Sequence, residues 1–122
     1  MYNFLAQPWV RWACKIQFVL AVCIYLGLLL IKSPPVSNVD LSDSTLHFVG
    51  NFLLFSSAWV ALGNNYSSIK ILLLCIPFAL AGEFAQHLVD ERTVDPKDAM
   101  ANLLGLFLAF AVCSNLKRIF RP

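Results

Sequence analysis

Acidic side chains, which can bind a cation or transfer a proton, are concentrated in one part of this apolar sequence. The stretch GEFAQHLVDERTVDPKDAMANLLG, from Gly82 to Gly105, holds five of the seven acids: Glu83, Asp90, Glu91, Asp95 and Asp98. It also contains His87, Arg92 and Lys97. A site for cation binding or acid–base catalysis would produce such clustering. A solvated loop between two capped helix ends would produce it as well.

Polar residues recur at helical spacing in three segments of the chain. The sets are Asp43, His47 and Asn51; Glu83 with Gln86 or His87; and Asp98, Asn102 and Gly105. Residues three or four positions apart lie on one face of a helix, so each set forms a polar stripe. We expect the stripes to meet in one polar crevice. Its candidate ligand-binding residues are Asp43, His47, Asn51, Glu83, Gln86, Arg92, Asp95, Asp98 and Asn102.

The elements that must position these residues are membrane-spanning helices. The chain is 59% hydrophobic and only 13% charged. Four apolar runs, roughly 13–31, 45–62, 69–88 and 99–116, approach the length of about 20 residues that crosses a bilayer. The first run is expected to be retained, because it is longer than the apolar part of a signal peptide and no cleavage pattern follows it. The sequence therefore predicts an all-α membrane protein, a four-helix transmembrane bundle that forms a single domain over residues 1–122.

Basic residues predict how this bundle is oriented in the membrane. With the N-terminus in the cytoplasm, six basic residues are cytoplasmic: Arg11, Lys15, Lys70, Lys117, Arg118 and Arg121. Three are then outside, namely Lys32, Arg92 and Lys97, together with all seven acids. This asymmetry follows the positive-inside rule, so both termini are predicted to be cytoplasmic and the polar crevice to lie at the outer leaflet. Because topology explains the inner basic residues, no nucleic-acid partner is expected.

Several of the charged residues also have a structural explanation. Asp95 fits the N-cap position of the fourth helix, and Asp98 fits the acid of a capping box that reaches back to it. Asp90 and Glu91 are expected to be solvated residues of the connecting loop. Capping and solvation would therefore account for these four acids without any site.

Glu83 is harder to explain in this way, because apolar residues flank it within the third run. An ionisable side chain inside a span costs about 2.5–3.5 kcal/mol and usually faces the interior of the bundle. Glu83 is therefore expected either to act in binding or catalysis, or to join helices through Arg92 or an amide. The same two interpretations stay open for His47, Asn51 and Asn102.

Small residues predict where the helices approach one another. Ala101, Gly105 and Ala109 form a ridge on the fourth helix, and Ala81 with Ala85 forms one on the third. The cysteines are expected to be small buried hydrophobic residues, because no CxxC pair exists. They are Cys14, Cys23, Cys75 and Cys113.

The order of these residues resembles the VanZ-like family of bacterial membrane proteins. The segment DSTLHFVGNFLLF is similar to the family's Asp-x-x-x-His-x-x-x-Asn/Tyr stripe. The segments EFAQ and RTVDPKDAMANLLG are similar to its Glu-x-x-Gln, Arg-x-x-Asp-x-x-Asp and Asn-x-x-Gly patterns. The resemblance covers the second to fourth runs, and the first run agrees only as a hydrophobic helix. One departure is Ser44, because many members of the family carry Lys at this position. Any role that a cationic side chain has there in the family is therefore not expected in this chain.

The resemblance implies a small multi-pass protein of the bacterial cytoplasmic (inner) membrane. The name-giving member of the family is associated with low-level resistance to the glycopeptide antibiotic teicoplanin. The family has no agreed biochemical mechanism, so what the resemblance implies is mainly the fold and the location in the cell envelope.

Three functions remain open at this point. The preferred one is a non-catalytic binding or accessory protein for a lipid-linked envelope intermediate or a cationic ligand. Helix N-termini favour anions, whereas the carboxylates favour cations. A divalent ion on Glu83 or Asp98 that also binds a phosphate would satisfy both preferences. Apart from such an ion, no cofactor is expected. The second is a membrane enzyme that acts on a lipid headgroup, with Glu83 as acid or base, His47 as its proton partner and Arg92 as an anion clamp, although no nucleophile motif is present. The third is a structural subunit that contacts other membrane proteins.

Overall fold

Four α-helices make up the part of the chain that the computed structural model describes, which is residues 7–30, 43–90 and 95–119. They are α1 (Pro8–Leu30), α2 (Asp43–Leu62), α3 (Ser68–Asp90) and α4 (Pro96–Ile119), and these ranges contain no β-strand. Each helix is long and apolar enough to cross a bilayer. The predicted all-α membrane fold with four spans is confirmed, whereas the side of the membrane on which the termini lie stays a prediction.

The helices extend beyond the apolar runs that predicted them. Helix α1 begins at Pro8 and α4 at Pro96, several residues ahead of the expected positions. Both prolines suit the first turn, where a backbone N–H has no partner within the helix. Asp95 Oδ1 accepts a hydrogen bond from the Lys97 backbone N at 2.9 Å, which confirms the predicted N-cap. Hydropathy underestimates helix length here because charged residues lie near both starts, Arg11 in α1 and Lys97 with Asp98 in α4.

Helices α2 and α4 form the largest interface of the bundle. Helix α3 packs against both of them, and α1 packs against α2 and α3. Over the described residues α1 makes no contact with α4, so these two helices lie on opposite sides of the bundle. The start of α2, the end of α3 and the start of α4 meet at one end, where the polar stripes were expected to converge.

Gly105 allows the backbones of α2 and α4 to approach closely. A Cβ atom at this position would collide with the Phe48 carbonyl oxygen and lie only 3.2 Å from the Phe52 backbone N. Ala101 and Ala109, which share its face, are also buried. The small-residue ridge predicted for the fourth helix is therefore the surface on which α2 packs.

The ridge predicted for the third helix is placed wrongly. Ala81 is exposed and Ala85 is half-buried. The buried stripe of α3 instead contains Cys75, Ala79 and Gly82. Because α3 is apolar on all sides, its sequence does not distinguish a small residue that faces protein from one that faces lipid.

The core of the bundle is apolar and includes two of the cysteines. Its largest fully buried apolar side chains are Phe55, Ile71 and Leu106. Cys75 and Cys113 pack in the same cluster, while Cys14 is half-buried and Cys23 is exposed. All four thiols are free, so the expectation of small buried hydrophobic residues holds for Cys75 and Cys113 and fails for Cys23.

Charged residues divide between the two ends of the bundle. The acidic end, where α2 starts, α3 ends and α4 starts, carries Asp43, Glu83, Asp90, Asp95, Lys97 and Asp98. The opposite, basic end carries Arg11, Lys15, Lys70, Lys117 and Arg118. At the basic end Lys117 Nζ donates a hydrogen bond to the Gly63 carbonyl oxygen at 3.0 Å, and it thereby places a positive charge at the C-terminus of α2.

Candidate functional site

Asn102 of α4 lies at the centre of a hydrogen-bonded network that joins three helices. Its Oδ1 accepts a hydrogen bond from Asn51 Nδ2 of α2 at 2.6 Å. The same oxygen lies 3.1 Å from His47 Nδ1, one turn earlier on α2. Its Nδ2 donates to Oε2 of Glu83 on α3 at 3.5 Å. Each of the three polar stripes therefore contributes at least one side chain to the same point.

The network has a buried floor and a slightly exposed rim. Asn51 and Asn102 are 0% and 1% exposed, whereas His47, Glu83 and Asp98 are each 8% exposed. Asn51 is eight residues beyond the start of α2, which corresponds to a depth of about 12 Å at 1.5 Å per residue. We use the name polar cluster for Ser44, His47, Asn51, Glu83, Asp98 and Asn102. Its acidic members lie at the rim, where a ligand can reach them.

Hydrogen-bond geometry assigns a proton to one nitrogen of His47. The Asn102 Oδ1 atom can only accept, so His47 Nδ1, at 3.1 Å, carries the hydrogen. The other ring nitrogen, Nε2, faces Asp98 Oδ2 at 4.0 Å. In the neutral tautomer that carries hydrogen on Nδ1, Nε2 is the ring nitrogen that can accept a hydrogen bond.

Asp98 connects the first turns of α2 and α4. Its Oδ1 accepts a hydrogen bond from Ser44 Oγ at 2.7 Å, and its Oδ2 faces the imidazole of His47. A capping role within α4 was one interpretation of this acid, but its carboxylate is turned towards α2. Asp98 therefore belongs to the polar cluster, while Asp95 alone caps the helix.

Glu83 approaches the imidazole from the opposite side. Its Oε2 lies 3.7 Å from His47 Nδ1, in addition to the hydrogen bond that it accepts from Asn102. The imidazole is thus flanked by two carboxylates from two other helices. With both carboxylates ionised, the cluster carries a net negative charge whether or not the imidazole is protonated. Carboxylates in such a position can be neutralised by a cationic group, either of the protein itself or of a ligand.

Two members of this region were missed in the sequence. Ser44 was considered only as a departure from a family pattern, although it lies three residues before His47 on the same face of α2. Tyr25 of α1 donates from its hydroxyl to Asn51 Oδ1 at 3.5 Å. Its position among apolar residues in the second half of the first run could have marked it, since a tyrosine hydroxyl inside a span usually finds a partner.

Of the other predicted site residues, Asp95 and Gln86 lie outside the polar cluster. Asp95 is exposed at its helix cap, and Gln86 is half-buried on α3 without a hydrogen bond to the cluster. Asp43 is the first residue of α2, but its side chain is outside the described part of the structure, and so is the whole of Arg92. The predictions for Asp43 and Arg92 therefore stay predictions.

Metal binding and nucleophilic catalysis were both considered for this site. Over residues 7–30, 43–90 and 95–119 no group of three or more His, Cys, Asp or Glu residues is arranged to hold a metal ion. An ion on Glu83 or Asp98 would therefore take ligands from outside this set, such as water or a phosphate. The hydroxyl of Ser44 donates to Asp98 and not to His47, so it is not arranged as a base-activated nucleophile.

Four apolar helices around one buried acidic cluster define a small multi-pass membrane protein with a polar site at one end. The model of the family VanZ/LLP1 matches residues 3–120, and the chain therefore belongs to this family. The resemblance found in the sequence is thereby confirmed over nearly the whole chain. No curated protein and no solved structure matches the chain.

Proposed function

We propose that this protein is a non-catalytic binding or accessory protein that holds the cationic group of an envelope ligand at the acidic end of its bundle. The observation that carries the proposal is the position of His47 between the carboxylates of Glu83 and Asp98, at 3.7 and 4.0 Å. Buried carboxylates in a membrane protein are expensive to maintain and usually mark a ligand or ion pathway. An ammonium group at the rim would donate hydrogen bonds to them and offset their charge.

The charge of the cluster favours a cation over an anion as the group bound. The N-termini of α2 and α4 point to the acidic end, and their dipoles favour negative charge there. In α4 this position is already occupied by Asp98, in the first turn of the helix. The helix dipole thus stabilises the protein's own carboxylate. A lipid phosphate would bind through a divalent ion held by one or two of these carboxylates.

The position of the cluster supports a ligand that is linked to a lipid. Its rim is at the end of apolar helices, within about 12 Å of their start, which is the depth of lipid headgroups and the adjoining acyl chains. A ligand with an acyl chain in the bilayer would bring its headgroup to this level. Membership of the VanZ/LLP1 family supports a location in the bacterial cytoplasmic membrane. We include a role in glycopeptide resistance in this proposal, because the name-giving member of the family is associated with such resistance.

Catalysis by the same residues is the second candidate. Glu83 and His47 lie close enough to exchange a proton through a small rearrangement, and Asn102 orients both. Such a pair could act as acid and base on a lipid headgroup. Binding is preferred because Ser44, the hydroxyl nearest to the pair among the members of the polar cluster, is committed to Asp98.

The proposal is tested by ligand-dependent stability of the purified protein in lipid nanodiscs. Decylammonium chloride and magnesium chloride are the cationic probes, and decyl phosphate is the anionic one. We expect the cationic probes to raise the midpoint of thermal unfolding, since a ligand of the folded state stabilises it by mass action. Decyl phosphate alone should have no such effect. A shift with decyl phosphate and none with either cation would overturn the proposal.

The matched variants are Asp98→Asn in the cluster and Asp95→Asn at the helix cap. Both remove one negative charge from the first residues of α4, and asparagine serves as an N-cap nearly as well as aspartate. The shift produced by the cationic probe should be lost in Asp98→Asn and retained in Asp95→Asn. Equal shifts in the two variants would show that the probe responds to surface charge and not to the polar cluster.

A further inference from the structure

Arg11 and Lys15 are two exposed cations at the basic end, four residues apart on α1. Residues at this spacing are neighbours on a helix, with Cβ atoms about 5–6 Å apart, so the two positive charges repel each other. The segments that form the basic end, residues 7–20, 56–76 and 108–119, contain no Asp or Glu that could pair with them. The charge that offsets this repulsion must therefore come from outside these segments.

Both cations lie on the side of α1 that faces away from the bundle. Val10, which is buried, marks the inward side of this helix. Arg11 and Lys15 lie about 100° and 140° from Val10 around the helix axis, and Val19, one turn after Lys15, lies about 180° from it. Val19 is exposed as well. Only 6% of the α1 span is buried, against 28–33% of the other three, so in a bilayer this side of α1 contacts lipid.

Trp12 directs the Lys15 ammonium towards the lipid headgroups. Lys15 Nζ lies 5.1 Å from the centroid of the Trp12 ring, which is within the range of a cation–π contact. The Lys15 backbone is about 10 Å from the start of α1, but its side chain reaches back to a ring three residues earlier, towards that start. Its charge is thereby brought towards Arg11, at the level where exposed tryptophans mark the membrane interface.

We propose that Arg11, Trp12, Lys15 and Val19, which we name the α1 basic face, bind an anionic phospholipid. Its phosphate accepts hydrogen bonds from the Arg11 guanidinium and the Lys15 ammonium and so offsets their repulsion. An acyl chain lies along Val19, on the same line of the helix as the two cations. A zwitterionic headgroup carries a positive charge that the two cations repel, so the face prefers a headgroup with a net negative charge. This site is at the end opposite the polar cluster and does not depend on the ligand proposed there.

Quenching of Trp12 fluorescence by brominated lipids tests the site in the full chain. In the parent protein Trp9 and Trp59 are replaced by Phe, so that Trp12 is the one tryptophan. Liposomes contain phosphatidylglycerol and phosphatidylcholine in both leaflets, with bromine on the acyl chains of one lipid or the other. The two measurements give the relative binding constant of the lipids beside Trp12, whatever the orientation of the protein. We expect a preference for phosphatidylglycerol above about five-fold, the contribution of one basic residue near an anionic surface; equal binding would overturn the proposal.

Variants of the parent protein separate this face from the general charge of the basic end. Arg11→Gln and Lys15→Gln should each lower the preference about five-fold. Lys15→Arg should retain it, because the charge and the contact with Trp12 are kept. Lys70→Gln is the matched control, since it removes the same charge from an exposed position of the basic end on α3, and it should retain the preference. An equal loss in Lys70→Gln and Arg11→Gln, both helical by circular dichroism, would contradict the proposal.

Inorganic phosphate distinguishes a lipid headgroup from a free anion at the same two cations. Sodium phosphate should lower the preference for phosphatidylglycerol no more than sodium chloride of the same ionic strength, because both act only by screening. A larger effect of phosphate would assign Arg11 and Lys15 to a soluble anion and overturn the lipid site.

Discussion

Asn51 Nδ2 lies 2.6 Å from Asn102 Oδ1, and this amide–amide hydrogen bond joins α2 to α4 beneath the rim of the polar cluster. The same nitrogen donates its second hydrogen to the His47 carbonyl oxygen at 2.9 Å. Both N–H groups of Asn51 are therefore satisfied in a place without solvent. Sliding one helix along the other would leave these groups unpaired, so the bond fixes the register of the two central helices.

Replacement of Asn102 by leucine should destabilise the bundle. Asn102→Leu keeps the approximate size of the side chain but removes the acceptor shared by Asn51 and His47. The buried N–H groups that remain should lower the free energy of unfolding by about 1–3 kcal/mol. Titration with dodecyl sulfate in mixed micelles measures this quantity. Leu104→Ala, at an exposed position on α4, is the control, and an equally large loss there would contradict the interpretation.

Close packing of α2 and α4 predicts that a single methyl group at Gly105 is harmful. In Gly105→Ala the new Cβ meets the Phe48 carbonyl oxygen, a backbone atom that cannot move away without shifting α2. Overpacking of this kind costs about 1–3 kcal/mol, measured as the free energy of unfolding. Gly27→Ala is the matched control, because a Cβ at Gly27 would meet no atom within 4 Å. If the two variants were equally stable, close approach at Gly105 would not be needed for the fold.

The sequence predicted the four helices and the contact between the polar stripes for clear physical reasons. Long apolar runs have few alternatives to transmembrane helices. Asn51, Glu83 and Asn102 are polar residues within such runs, and they avoid lipid only by turning inwards, where they meet. Spacing along each helix was therefore sufficient to bring them together.

The rotation of one helix against another was not predictable in the same way. Ser44 belongs to the polar cluster and Tyr25 contacts it because α2 and α1 are turned to particular angles, which tertiary packing sets. On α3 the periodicity does not show which small residues face inwards, and Ala81 proves to be exposed. The sequence thus predicts which polar side chains are buried together. It gives much less information on which apolar side chains face the interior of the bundle.

Orientation of the bundle in the membrane is a prediction from charge that labelling can check. Single cysteines at Lys97 of the acidic end and Asn65 of the basic end are both at exposed positions. A membrane-impermeant maleimide added to intact cells should label Lys97→Cys and should leave Asn65→Cys unlabelled until the cells are opened. The positive-inside rule requires this result, because the basic end should face the cytoplasm. The reverse pattern would place the polar cluster at the inner leaflet and remove the access of outer-leaflet ligands.

The change Glu83→Gln separates a functional carboxylate from a structural one. Glutamine keeps an oxygen that can accept the hydrogen bond from Asn102 Nδ2, so the loss in unfolding free energy should stay near 1 kcal/mol, the difference between a charged and a neutral acceptor. The charge that a cation would bind is removed. We therefore expect stabilisation by decylammonium to be lost, and teicoplanin susceptibility of a bacterial host that expresses the variant to equal that of the empty host.

Asp95→Asn serves as the control for Glu83→Gln, since it removes an acid that is exposed and caps α4. It should retain both the decylammonium response and the cellular effect of the wild type. If Glu83 only joins helices, Glu83→Gln should behave like this control, because an amide still bonds across the bundle. A Glu83→Gln protein that folds, binds decylammonium and acts in cells like the wild type would therefore assign Glu83 to helix packing and leave the proposed site without its principal carboxylate.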